Sequence, residues 1–563
     1  MILEVHLSNR YCPWRRIAAP GGFCHVRGEP ILRDDPRTGD ALFHEIFRCA
    51  GGSTTDPGAI PEFLSRLYGE FAIVIESDQR ITGIVDPIRS IPLFYASSGD
   101  AAVLSDDAWY LRSRFGGMFD EISGIEFLLT GFVSGSRSLL DTIFQVPAGT
   151  FITITKTTAV HPPTPYRPFL HSNFLTGSAE ELTHVLDGVL SQIFDRLIQS
   201  TIERKKQIVV PLSGGIDSRL VVGTLKEKGC RDIICFSYGR RTDRNAEISR
   251  IVAESLGYPW HFVDMDPDEW YRTYVSEEMV EYQRYAGNFA SLPHLQDYIA
   301  VRELRRRKIL PDNAVFVPGH TGMIAGGRVP DEYSQGMHCT RERFLQDCIR
   351  RHYNLWDWSA AEPALRPLIE ERILEQIGNI TFSDGESCAN AIEFFDFNER
   401  QAKFIVNSLR IYEYFGYAWK LPFSDPQLID FFLRVPLKYR IRKGLLFEIL
   451  HSTFATGPCR ALSEIPCTTP APSFHQQVVP MARSIIRRML HARGPAAPPW
   501  NAGLPALLME KRLAGREINP RYPLFRMILG ERVPVIKPSR INSSTTLDYL
   551  ATFAEIDLVG ERP

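Results

Sequence analysis

Gln207–Leu212 (QIVVPL), a short apolar run, leads without a break into Ser213-Gly214-Gly215-Ile216-Asp217-Ser218, and a helix-like stretch follows from Ser218 to Lys228. An apolar run this short suits a strand buried on both faces of a parallel sheet. Two adjacent glycines let the chain turn tightly and bring backbone N–H groups towards an anion with no Cβ in the way. The helix start behind them adds unpaired N–H groups and partial positive charge. The hydroxyls of Ser213 and Ser218 suit phosphate oxygens. Asp217 would repel phosphate, so its carboxylate there is best explained by a bridging Mg²⁺. Leu212, Ser213, Gly214, Gly215, Asp217 and Ser218 are therefore candidate polyphosphate-binding residues, and Asp217 is the candidate metal ligand. Ser-Gly-Gly by itself is as often a tight turn; all six residues between a buried strand and a helix are far more specific. The loop lacks G-x-x-x-x-G-K-[ST], which excludes the common kinase and GTPase loop.

The pattern around this loop predicts the fold class. Ile233–Ser237 reads as a strand, Asn245–Leu256 as a helix closed by Gly257, and His261–Val263 and Val315–Val317 as further strands. Strands alternating with helices imply a doubly wound parallel sheet. Before it, residues 1–165 read as short strands such as Phe71–Glu76, Ile81–Val85 and Ala102–Ser105, ending in a proline-rich stretch, Val160–Phe169. A helix over Ala179–Glu203 opens the second domain, 180–470, whose part beyond about 340 reads as mainly helical. Residues 471–563 are expected to form a helical extension, with Gly494–Pro505 a loop. A chain of 563 residues is too long for one core, consistent with several domains.

The 64 basic and 66 acidic residues nearly cancel, to a net charge of −2, so nothing favours nucleic acid or an anionic membrane as partner. The basic run Arg302–Lys308 reads as the solvated face of a helix. Ten scattered cysteines without a C-x-x-C pair suit a reducing compartment better than a disulfide scaffold. The first residues show no basic segment followed by an apolar stretch, and no apolar run reaches the ~20 residues of a membrane span. A cytoplasmic protein is expected, with a homodimer left open.

The six-residue loop resembles the S-G-G-x-D-S loop of ATP pyrophosphatases, and its surroundings resemble asparagine synthetases. Ser237-Tyr238-Gly239 ends the second strand, where that family places adenine-contacting backbone, and Asp243 with Ala246 resembles its D-x-x-A. Gly69-Glu70-Phe71-Ala72, Asp86 through Tyr95, Leu104-Ser105-Asp106-Asp107 and Pro147-Ala148-Gly149 are similar to the glutamine-amidotransferase domain of the same family. The resemblance covers roughly residues 60–150 and 205–450. It implies an ATP-pyrophosphatase fold (adenine nucleotide alpha hydrolase-like) with a helical C-terminal part, preceded by a β-rich Ntn-hydrolase-like sandwich. That amidotransferase chemistry needs a cysteine at position 2. Ile2 stands there, and Cys12 or Cys24 would serve only after an unusual cleavage, so the domain is expected to be inactive, as in β-lactam synthetases and lasso-peptide cyclases.

Val315–Gly327 (VFVPGHTGMIAGG) resembles the family's second ATP-site motif in the form found in proteins of surface-polysaccharide clusters, which brings in Gly319 and His320 as candidates. Met323 replaces the aspartate that ligates Mg²⁺ in the family. Help to Asp217 would then come from His320, Asp331 or Glu332, or mainly from ATP itself. For His320, a satisfied loop histidine is an equally good reading. Glu399 through Asp425 resembles the family's G-V-E-x-R-x-P-F-x-D region, with Ala418 where glutamate is usual and with Arg410 and Lys420 keeping basic character. The family's C-terminal catalytic lysine has no match around Arg460–Pro466, which leaves Lys438, Arg442 and Lys443 as candidates by charge. Arg410 and Lys443 are taken as candidate catalytic residues.

The resemblance implies an AMP-forming amide ligase that uses ATP and Mg²⁺ to activate a small-molecule carboxylate for ammonia or an amine. Asparagine synthesis from aspartate, intramolecular amide closure and a nucleotide-binding pseudoenzyme are the alternatives; Met323 and Ala418 support the last.

Overall fold

The computed structural model describes residues 2–33, 39–51, 59–157, 160–468, 512–513, 516–533, 541–554 and 558–559. The first seventeen strands in chain order are β1 (Ile2–His6), β2 (Arg15–Ala19), β3 (Gly22–Gly28), β4 (Ile31–Leu32), β5 (Leu67–Tyr68), β6 (Phe71–Ser77), β7 (Arg80–Val85), β8 (Phe94–Ser98), β9 (Ala101–Ser105), β10 (Phe144–Gln145), β11 (Thr150–Thr155), β12 (Thr164–Pro165), β13 (Gln207–Pro211), β14 (Ile233–Gly239), β15 (Trp260–Asp264), β16 (Ala314–Phe316) and β17 (Ala418–Trp419).

Alternation along the early strands builds two stacked sheets, ordered β12-β11-β7-β6-β3-β2 and β1-β9-β8-β10. Ala72, Val74 and Ile152 of the first meet Ala102 and Leu104 of the second in one buried layer. The sheets approach so closely at Gly83 that a Cβ there would lie 2.8 Å from Leu104. On the outer face of the larger sheet, Ile73 and Ile75 pack on α1 (Asp40–Gly51) and α2 (Ala59–Leu64). On the outer face of the smaller, Phe94, Ala96 and Val103 pack on α3 (Ala108–Phe115) and α4 (Glu121–Thr130). The result is four layers, helix–sheet–sheet–helix. The proline-rich stretch contains β12 and buries Tyr166 and Phe169.

α5 (Ala179–Glu203) occupies the expected residues because Ser178 and Glu181 form a capping box at its start. Beyond it lies an all-parallel sheet in the order β15-β14-β13-β16-β17. Ile208, Val209 and Val210 of central β13 are buried on both faces, each such side chain contributing about 1.5–3 kcal/mol. Numbered along the chain, this order is 3-2-1-4-5, so connections leave β13 towards opposite sides. The crevice between β13 and β16, outside their carboxyl ends, is the topological switch point where ligands bind in such sheets.

Helices and short turns dominate after residue 340, including a π-helical segment, Asp396–Ile405. The described parts of the C-terminal extension include helices Pro523–Leu529 and Ile541–Phe553. Phe525, Leu547 and Tyr549 join the core that covers α3 and α4. Gly494–Pro505 lies outside the described residues. No helix among the described residues is long and apolar enough to cross a membrane.

The cysteine reading needs one correction. Cys339 and Cys388 are disulfide-bonded, Cα atoms 6.2 Å apart, tying the start of helix Arg341–His352 to helix Gly385–Phe395. Tertiary packing makes the pair; a separation of 49 residues gives no local signature. The other eight cysteines form no disulfide.

Candidate functional site

β13 ends at Pro211, Leu212 continues it as a buried residue, and α6 (Ile216–Glu227) begins directly after the glycine pair. Gly215 stands at the N-cap of α6 and, having no side chain, adds no capping side-chain hydrogen bond of its own. The serines shape the loop. Ser213 N and Gly215 N donate to Ser218 Oγ and Ser213 Oγ at 3.0 and 3.2 Å, and the two hydroxyls lie 3.0 Å apart. A loop pre-ordered by its own hydroxyls, in front of a helix N-terminus, is a cradle for a polyanion.

The loop after β16 closes the other side of the crevice. A Cβ on Gly319 would stand 2.6 Å from Ser218 N, and one on Gly322 would stand 2.5 Å from Asp217 Oδ1. Only glycine backbone fits against the start of α6 at both places. His320 Nδ1 lies 3.1 Å from Ser408 Oγ, and burial pushes its pKa down, holding the ring neutral. The geometry thus gives His320 Nδ1 a hydroxyl partner.

Lys443 comes to the loop from 226 residues away, its Nζ 2.5 Å from Asp217 Oδ2. Its side chain is 5% exposed. Arg442 and Lys443 both adopt left-handed backbone, with φ of 51° and 62°. Non-glycine residues held there cost of order 1–3 kcal/mol each and collect at functional sites. The segment is held by Arg442, which donates to the Asp331 carboxylate and, through its N–H, to Gly326 O at 3.2 Å. Asp331 is thereby committed to Arg442, and Glu332 to Arg343 at 2.6 Å. Neither supports Asp217, contrary to one sequence expectation.

Ser237 and Tyr238 end β14 beside the loop as expected. The Tyr238 hydroxyl donates to buried Asp297, which also accepts from Tyr412 at 3.1 Å. Asp243 serves as the N-cap of helix Arg244–Ser255, accepting from Asn245 N at 2.8 Å.

Arg410 is not at the loop. It is buried against the N-terminal layers, donating to Ser90 O at 2.6 Å and pairing with Glu413 at 2.7 Å. Lys420 likewise spans to Glu29 and Glu70, at 2.8 and 3.2 Å. Basic character identified both residues, but charge type does not encode direction. The Met323 side chain lies outside the described residues.

Two site features escape sequence reasoning. Arg219, fully buried on α6, donates to the carbonyls of Leu462, Ile465 and Pro466 at 3.1, 2.6 and 2.8 Å. That clamp brings Thr468 over the loop, where its N–H donates to Gly214 O at 2.9 Å. The one available signal is an arginine inside the apolar stretch of α6, directly after Ser218.

The donor set bears on Mg²⁺. Asp217 Oδ1 is buried without a hydrogen-bond partner, and Lys443 occupies Oδ2. Among the described residues no group of three His, Cys, Asp or Glu side chains stands ready for a metal. One free carboxylate oxygen fits Mg²⁺ that arrives with nucleotide phosphates, since that ion binds through one or two carboxylates plus phosphates and water.

Residues 190–456 match the family model of asparagine synthase. No curated protein matches the chain. Among solved structures, the glutamine phosphoribosylpyrophosphate amidotransferase of B. subtilis, complexed with ADP and GMP, is similar at 11% identity and a TM-score of 0.19, covering 56% of this chain. The chain spans 65% of that enzyme's length, just under two thirds. The NH3-dependent NAD synthetase of Campylobacter jejuni is similar at 13% identity and a TM-score of 0.20, over 35% of this chain and 93% of that one. At these scores the likeness is too slight to build on, and the fold rests on the strand order and the site geometry. Residues 190–456 belong to the asparagine synthase family, a family of ATP-dependent carbon–nitrogen ligases.

Proposed function

We propose that the chain is an AMP-forming amide ligase. It would activate the carboxylate of a small molecule with ATP and pass the acyl group to ammonia or an amine. The observation that carries this reading is the convergence of Lys443 on Asp217 at the start of α6, across a switch-point crevice.

ATP phosphates would lie against the N–H groups of Gly214 to Ser218 and the hydroxyls of Ser213 and Ser218, with adenine near the backbone of Ser237 and Tyr238. A carboxylate oxygen of the substrate attacks the α-phosphorus; the new O–P bond forms as the bond to pyrophosphate breaks. Nitrogen then attacks the acyl carbon, AMP leaves with the electron pair of the C–O bond, and the nitrogen loses a proton to solvent. The Lys443 ammonium meets charge that develops on the phosphates, the kind of fixed electrostatic contribution that dominates such steps. Mg²⁺, held by Asp217 and the phosphates, would supply charge neutralisation.

The amidotransferase-like N-terminal region is read as an Ntn-hydrolase-like sandwich without glutaminase activity. Its four layers suit that fold. Burial pushes the Cys24 thiol up to about 12, and burial also raises Cys12, so neither is a ready nucleophile. Nitrogen would come from free ammonia or an amine-bearing substrate, at a cytoplasmic location.

The test is ATP–pyrophosphate exchange screened over small carboxylates, with D217A as control. Exchange that depends on one carboxylate and is lost in D217A supports the reading. Nucleotide binding with no exchange for any carboxylate would favour a binding protein instead, a reading that Asp331 and Glu332 encourage by being committed elsewhere.

A further inference from the structure

We infer that Thr468 and Asn245, brought together over Gly214 by two separate elements, bind the terminal phosphates of ATP and hold the pyrophosphate that departs, an inference that rests on the phosphates lying at the Ser213–Ser218 loop. The two residues give the cradle a further side, made of side chains, beside the loop backbone and the two serine hydroxyls.

The chain that carries Thr468 reaches the loop along α6. Arg219 and Gly223, one turn apart on one face of that helix, receive it. A Cβ on Gly223 would collide with Phe454 and Leu462, and Cys459 Sγ donates to Gly223 O at 3.2 Å. Nearer the start of α6, the Arg219 guanidinium gathers the carbonyls of Leu462, Ile465 and Pro466. Arg219 is fully buried, and carbonyl oxygens are its hydrogen-bond acceptors in place of a carboxylate. Pulling the segment away would strand a buried cation, which is strongly unfavourable. The clamp therefore fixes the chain up to Pro466 and delivers the next two residues to the loop. There Thr468 N donates to Gly214 O at 2.9 Å.

Asn245 arrives from the other direction. It stands in the first turn of helix Arg244–Ser255, its own N–H committed to Asp243. The two side chains meet in the space that Gly214 leaves empty. A Cβ on Gly214 would lie 2.9 Å from Thr468 Cγ2, 3.3 Å from Thr468 Oγ1 and 3.0 Å from Asn245 Oδ1. Both residues are exposed. Among the described residues, neither the Thr468 hydroxyl nor the Asn245 amide has a hydrogen-bond partner, whereas the Ser213 and Ser218 hydroxyls are engaged within the loop. A hydroxyl and an amide can each donate to a phosphate oxygen, and neither brings a negative charge that would repel it. Such charge-assisted bonds are about twice as strong as neutral ones. The sequence offers no sign of this pair, since 223 residues of chain lie between its members and the clamp on Arg219 brings them together.

Binding tests the pair without turnover. The full chain is titrated calorimetrically with pyrophosphate, ATP and AMP, each with Mg²⁺. Thr468→Val removes the hydroxyl and keeps both the shape and the backbone N–H; Asn245→Leu removes the amide. Each variant is expected to weaken pyrophosphate and ATP binding by about tenfold and to leave AMP binding within about twofold, because AMP lacks the terminal phosphates. Thr468→Ser, which restores a hydroxyl, is expected to bind pyrophosphate as the unaltered chain does. Pyrophosphate binding that is unchanged in either Thr468→Val or Asn245→Leu overturns the inference alone, as does AMP binding that falls in parallel. An unaltered chain that binds neither ATP nor pyrophosphate overturns the placement of the phosphates as well.

Discussion

The Lys443 ammonium donates to Asp217 Oδ2 at 2.5 Å, leaving Oδ1 buried and unpartnered in the mouth of the Ser213–Ser218 loop. One carboxylate thus serves a resident cation on one oxygen and stays open on the other. If the pair acts as a unit, its removal is not additive. Lys443→Met is expected to lower carboxylate-dependent ATP–pyrophosphate exchange by about 10²–10³-fold. In a double-mutant cycle with Asp217→Asn, the double variant is expected to lose little beyond the worse single variant. Fully additive losses would separate the two residues.

Gly319 makes the crevice as narrow as it is. Gly319→Ala places a Cβ 2.6 Å from Ser218 N and 2.8 Å from the Asp217 carbonyl carbon, both backbone atoms that cannot swing aside. We expect a loss of about 1–3 kcal/mol in stability, read by urea unfolding, and weaker ATP binding from displacement of the loop. Gly229→Ala, where φ is +79° and no atom crowds the Cβ, is expected to cost stability alone.

The Cys339–Cys388 bond closes a span of 49 residues. Chain-entropy reasoning puts its contribution at up to about 4 kcal/mol. Melting with and without dithiothreitol should show a lower transition on reduction, and Cys388→Ser should melt alike in both conditions.

Burial pushes His294 down to about 4 and His352 down to about 3, so both rings are neutral when folded. Unfolded, each takes a proton near the ordinary histidine pKa of about 6.5. The folded state then binds fewer protons than the unfolded one, and stability rises with pH. This contribution is fully present above about pH 6.5 and is lost as pH falls towards about 4 and 3. Between pH 7.5 and 5.5 each histidine is expected to remove about 1–1.5 kcal/mol from the urea unfolding free energy. His294→Gln should remove its share of that slope.

Local chemistry was legible in the sequence, and long-range chemistry was not. The boundaries of α5 follow from Ser178 and Glu181, and the Ser213–Ser218 loop from an apolar strand meeting two glycines. Both are encoded within a few residues. Lys443 was one of several cations of equal standing until the left-handed turn at Arg442–Lys443 aimed it at Asp217. Arg410 had the same charge and the opposite fate, because a carbonyl at Ser90 and the Glu413 carboxylate draw it towards the N-terminal layers. Asp331 and Glu332 were plausible metal partners by composition, and nearby arginines had already claimed them. The same holds for Cys339 and Cys388, whose meeting depends on how two helices pack.

Oxygen transfer from substrate to nucleotide tests the central claim most directly. With a carboxylate that supports exchange, labelled with ¹⁸O in the carboxyl group, the reaction is run with ammonia or the accepted amine and the nucleotide product is weighed. Attack on the α-phosphorus predicts AMP carrying one ¹⁸O atom and unlabelled pyrophosphate. Label in inorganic phosphate with ADP as the nucleotide product would contradict it, since that would mean attack on the γ-phosphorus and an acyl phosphate.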